Sequence, residues 1–101
     1  MGYWIKVYTD ILDDPKYYKL SEKAKLGMYE LMLVAKKLEN GKLTGELPSI
    51  EDIAFHTRKP VEEWEAILPE LQAIGFVENT DEHLVIKNYV KRQSSIPSTE
   101  R

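Results

Sequence analysis

The chain of 101 residues contains no cysteine, which excludes a disulfide framework and any zinc site with a cysteine ligand. Histidine is nearly as scarce. His56 and His83 are the two present, and the run Asp81-Glu82-His83 lacks the spread of ligands that a dedicated metal site needs. No apolar run approaches the roughly 20 residues of a membrane span. The opening Met1-Gly2-Tyr3-Trp4-Ile5-Lys6 lacks the apolar core of a signal peptide, so a soluble cytoplasmic protein is expected. There is no P-loop, dinucleotide fingerprint or nucleophile elbow. Asp13-Asp14 is explained by helix capping, so catalysis is not expected and no cofactor or metal is implied. An excess of positive charge is also missing. Fourteen lysines and arginines face 17 acids, for a net charge of −3, whereas phosphate neutralisation usually gives a DNA-binding domain a basic balance.

What remains is an ordinary globular chain. Its hydrophobic share of 43% argues against disorder, and its length allows one domain with a single modest core. That domain is read as residues 1–93. Residues 94–101 are polar and proline-broken, and read as a flexible tail or the start of a linker. Charge is unevenly distributed. Residues 61–74 carry Glu62, Glu63, Glu65 and Glu70 without a lysine or arginine. Lys87, Lys91 and Arg92 follow one another with no acid between them.

The apolar periodicity predicts the element order. Residues 3–8 are rich in aromatic and β-branched types and suit a short edge strand or irregular packing on the core. Asp14 followed by Pro15 starts a short helix over 15–19, where the missing proline N–H costs nothing. Ser21 caps a longer helix to about residue 38. Its stripe is Leu20, Ala24, Met28, Leu31, Ala35 and Leu38, widened by Tyr29 and Leu33. Residues 42–47 supply a short strand. Ser49 and Asp52 form a capping box for a second helix whose apolar face is Ile50, Ile53 and Ala54. After the break at His56-Thr57-Arg58-Lys59, Pro60 restarts the pattern. Val61, Trp64, Leu68, Leu71 and Ile74 then line a third helix. Pro69 falls inside that helix and removes one backbone bond, but the stripe keeps its phase, which predicts a kinked continuous helix. Gly75 ends it in a left-handed conformation. Residues 76–78 and 84–86 flank a polar run and form a β-hairpin. The fold class is α+β, mostly α: a winged helix-turn-helix with a small antiparallel sheet and a long N-terminal helix.

Several segments carry a family resemblance. Tyr3-Trp4-Ile5-Lys6-Val7-Tyr8-Thr9-Asp10-Ile11-Leu12-Asp13-Asp14-Pro15-Lys16 resembles the opening of the phage replisome-organiser N-terminal domain. Leu47-Pro48-Ser49-Ile50-Glu51-Asp52-Ile53-Ala54, Gly75-Phe76-Val77 and Ile86-Lys87-Asn88-Tyr89-Val90-Lys91-Arg92-Gln93 resemble its later parts. That family is related to the DnaD-like primosome proteins of Gram-positive bacteria and their phages. The resemblance spans nearly the whole chain. Its opening and its Lys-Arg-Gln ending are the most specific parts, and the helix-turn-helix middle is generic. It implies a winged-helix module of a DNA-replication initiation protein, which joins DNA binding or self-association to partners such as a helicase loader.

The residues themselves divide the candidate roles. In an ordinary helix-turn-helix the first residues of the second helix meet base edges. Here those are Val61, Glu62, Glu63 and Glu65, whose carboxylates a phosphate lattice repels. Contact with DNA is therefore expected through the backbone, from Arg58, Lys59, Lys87, Lys91, Arg92 and Gln93. Such contacts position a protein without reading sequence. The alternative for these cations is plain surface solvation. Tyr3, Trp4, Tyr8, Tyr17 and Tyr18 crowd the N-terminus and suit a core or a partner interface better than base stacking. With Glu62 and Glu63, residues Tyr3, Trp4, Tyr8 and Tyr18 form the expected protein-interaction set, and a homodimer is one outcome. Two function classes are carried forward: a DNA-replication module, and an interaction or oligomerisation domain that docks replication partners.

Overall fold

The computed structural model describes residues 9–38, 45–80, 83–87 and 89. Residues 1–8, the 42–44 part of the strand expected over 42–47, and everything from 90 onward lie outside them. A 3-10 turn at Thr9–Asp13 leads into α1 (Pro15–Tyr18) and α2 (Glu22–Lys37). Then come β1 (Glu46–Leu47), α3 (Ile50–Thr57), α4 (Val61–Ala73), β2 (Val77–Asn79) and β3 (Leu84–Ile86). The class is α+β and mostly helical. Its sheet has three short antiparallel strands in the order β1-β3-β2.

The caps follow the local chemistry. Asp14 Oδ1 accepts from the Lys16 N–H at 2.9 Å, with Pro15 in the first helical position. Ser21 Oγ accepts from Ala24 N–H at 3.2 Å, and Ser49 Oγ from Asp52 N–H at 3.3 Å. Each bond satisfies a donor that a helix start leaves free. Helix α4 runs unbroken through Pro69. It ends in a Schellman motif: Gly75, at φ 80°, donates to the Gln72 carbonyl at 3.0 Å, and Phe76 donates to Leu71 at 2.9 Å. That motif consumes the Phe76 N–H. The strand therefore begins at Val77, one residue later than the sequence pattern predicts.

The hairpin pairs Val77 with Ile86, Glu78 with Val85 and Asn79 with Leu84. On its other side β3 pairs Val85 with Glu46 and Leu84 with Leu47. Alternation along the strands puts Val77, Ile86 and Leu47 in the core and leaves Glu46 and Glu78 in solvent.

Trp64, Leu31, Ile53, Ile67, Leu71 and Val77 are the largest fully buried side chains. They sit where α2, α3, α4 and the sheet meet. Helices α2 and α4 approach closely at Gly27, where a Cβ would stand 2.9 Å from Ile67 Cγ2 and 3.2 Å from Trp64 Cζ3. The buried stripe of α2 differs from the expected one. Met32 and Val34 are buried with Ala24, Gly27, Met28, Leu31 and Ala35, while Leu33 and Leu38 are exposed. Leu33 lies seven residues after the exposed Leu26 and shares its outward face. Leu38 caps the helix beyond its last packed turn.

Candidate interaction surface around the helical turn

The turn between α3 and α4 is built from three residues with different fates. Arg58 adopts φ 60°, the left-handed region, and its side chain is exposed. For a residue with a Cβ this conformation costs about 1–2 kcal/mol. Lys59 follows, its N–H donating to Ala54 O at 3.2 Å, and its side chain turns inward. The ammonium pairs with the Glu30 carboxylate on α2 and lies 5.0 Å from the centre of the Trp64 ring. Trp64 Nε1–H in turn donates to Thr57 Oγ1 at 2.8 Å, and the Thr57 hydroxyl donates to Ile53 O at 2.7 Å. This chain of contacts ties the turn to α2 and α4. Of the two cations expected here, Arg58 faces solvent and Lys59 is occupied.

Lys87 is exposed at the other end of α4, where its N–H donates to Phe76 O at 2.8 Å. Arg58 precedes α4 and Lys87 neighbours its C-terminal cap. The length of a 13-residue helix, about 20 Å, therefore separates them. Between them the outer face of α4 carries Glu62 and Glu65 in solvent, with Glu63 half-buried. Lys91, Arg92 and Gln93 lie outside the described residues, as do Tyr3, Trp4 and Tyr8.

Glu70, counted with the acidic helix, has a different role. Its two oxygens accept from the Ser21 N–H at 2.9 Å and the Ser21 hydroxyl at 2.8 Å. These bonds, the backbone one foremost, hold its carboxyl below the ordinary 4.5. Among the tyrosines, Tyr18 is exposed and Lys25 stands over both Tyr17 (5.0 Å) and Tyr18 (5.3 Å). The Tyr29 hydroxyl donates to that of Tyr17 at 3.2 Å. Burial, then the Tyr17 contact, push Tyr29 up to about 12.

Two features escaped the sequence reading. Phe55 is 75% exposed, beside His56 with ring centres 5.4 Å apart. Its position two residues after Ile53 puts it about 200° round the helix from the buried stripe, a phase signal that was legible. The second is an open cleft of about 950 Å³ where the start of α3, the side of α4 and the hairpin come together. It collects residues from three separate segments, so periodicity along the chain does not reveal it.

Among the described residues, no group of three or more histidines or acids is placed to hold a metal ion. No helix there is long and apolar enough to cross a membrane. Comparison with protein-family models, with curated proteins and with solved structures finds no match for this chain.

Proposed function

We propose that the chain is a winged helix-turn-helix domain and a non-catalytic module of phage-type DNA-replication initiation, binding DNA through backbone contacts. The order helix, strand, helix, turn, helix, hairpin, with the first strand paired to the last, supports the winged-helix reading. The replication context rests on the family resemblance of the quoted segments. The observation that carries DNA contact is Arg58: an exposed guanidinium at the helical turn, in a backbone conformation that glycine would adopt with less strain. Lys87 adds a second cation beyond the hairpin, and Lys91, Arg92 and Gln93 continue the basic ending. Lys59 is left out of the contact set because Glu30 holds it. The acidic outer face of α4 argues against base reading by that helix. Titration of duplex and single-stranded DNA across a salt series tests this. Affinity should fall steeply with salt. Absence of binding at low salt, or indifference to salt, removes the reading.

A second reading, an oligomerisation domain docking replication partners, is favoured by a different observation. Leu26 and Leu33, both exposed, share one outward face of α2. Sedimentation over a concentration series decides it, and a strict monomer throughout the micromolar range removes self-association.

A further inference from the structure

We propose that the cleft between α3, α4 and the β2–β3 hairpin docks a basic, partly apolar peptide segment of a partner protein. This function goes beyond DNA contact and does not depend on it. Apolar side chains from all three walls, Ile50, Leu68 and Leu84, line the cleft. Each is only partly buried, so apolar surface is left for an occupant to cover. The volume of about 950 Å³ lies at the upper end of ordinary ligand sites. It opens to solvent between helix and hairpin, a shape suited to a chain segment.

The charge of the walls selects the occupant. Asp52 on α3 and Glu65 on α4 both line the cleft, and no lysine or arginine does. Among the described residues, no cation forms an ion pair with either carboxylate. Pro69 lies in the same wall and has no N–H to give the carbonyl of Glu65, four residues earlier. That carbonyl lacks its helical donor. Acceptors from two helices beside an apolar floor match lysine or arginine alternating with leucine-like residues. The same carboxylates repel phosphate, so DNA is the wrong occupant for this cleft.

The test uses the full chain and three short labelled peptides. The first has lysine and leucine at amphipathic spacing, the second replaces each lysine with glutamate, and the third replaces each leucine with serine. Fluorescence anisotropy should show binding of the first and none of the second. The third should bind at least about tenfold more weakly, because the floor loses its apolar partners. Amide NMR shifts caused by the first peptide should centre on Ile50, Leu68 and Leu84. Asp52→Lys combined with Glu65→Lys should weaken binding by about tenfold or more while the melting temperature stays within a few degrees. Failure of the first peptide to bind, equal binding of the acidic one, or shifts centred on Leu26 and Leu33 would overturn the proposal. So would duplex DNA moving the same cleft resonances. Weaker DNA binding by Arg58→Gly, with the salt dependence lower by about one charge and peptide docking unchanged, separates the two functions.

Discussion

The two sides of α4 use the same residue types in opposite ways. Where it meets α2, charge is engaged: Glu70 holds both donors of Ser21, and Lys59, in the turn before α4, pairs with Glu30 against the Trp64 ring. Where it faces the cleft and solvent, Glu62 and Glu65 stand without an ion-pair partner among the described residues. Engaged groups at a seam fix how elements sit together, while exposed unpaired ones are free to meet another molecule. The division assigns the inner side to architecture and the outer side to recognition, and substitutions on each side should fail in different ways.

The largest effect belongs at the seam. Trp64→Ala removes a fully buried indole and its bond to Thr57, and should lower stability by about 3–5 kcal/mol in urea unfolding followed by circular dichroism. Lys59→Met comes next. It leaves the Glu30 carboxylate, 22% exposed, without its cation. The expected loss is about 1–3 kcal/mol, below the fully buried case because water still reaches the pair. DNA affinity should barely move. A large drop in DNA binding at unchanged stability would instead place Lys59 on the outer side and break the comparison.

Arg58→Gly should do the reverse. Relief of the left-handed strain, offset by the freer unfolded chain, should raise stability by about 1 kcal/mol or less. The dependence of DNA affinity on salt should meanwhile lose roughly one charge. Neighbouring residues in one turn would then separate cleanly, one serving the fold and the other the function.

Much of this was legible along the chain because it depends on neighbours in sequence. Ser21, Ser49 and Gly75 punctuate helices through bonds three to five residues apart in the chain, and the hairpin follows from alternation around a polar run. The continuity of α4 through Pro69 was visible in the unbroken phase of Leu68 and Leu71. Two kinds of fact were not legible. Which face of an apolar helix is covered depends on what approaches it, and α2 therefore buries Met32 and Val34 while Leu33 remains outside. An ion pair across 29 residues, as in Lys59–Glu30, or hydrogen bonds across 49 residues, as from Ser21 to Glu70, leave no periodic trace. Position in the sequence put Lys59 in an exposed turn and Glu70 on an acidic helix without a cation, and the fold gives each a distant partner, Glu30 for Lys59 and Ser21 for Glu70.

The smallest expected effect tests the seam by pH. The folded-state carboxyl of Glu70 lies below 4.5 because the Ser21 N–H, and then the Ser21 hydroxyl, bond to its charged form. Folding therefore releases a proton that the unfolded chain would keep. The resulting stabilisation is present above pH 4.5 and is lost as pH falls through the lower folded value. Glu70→Gln keeps the shape but cannot titrate, and its amide presents a donor where Ser21 needs a second acceptor. The variant should melt below the parent chain at neutral pH, and the gap should close on acidification below 4.5. A gap that stays constant to low pH would mean the carboxylate charge contributes nothing. Glu70 would then belong with the unpaired acids of the outer side, and the two faces of α4 would no longer differ in kind.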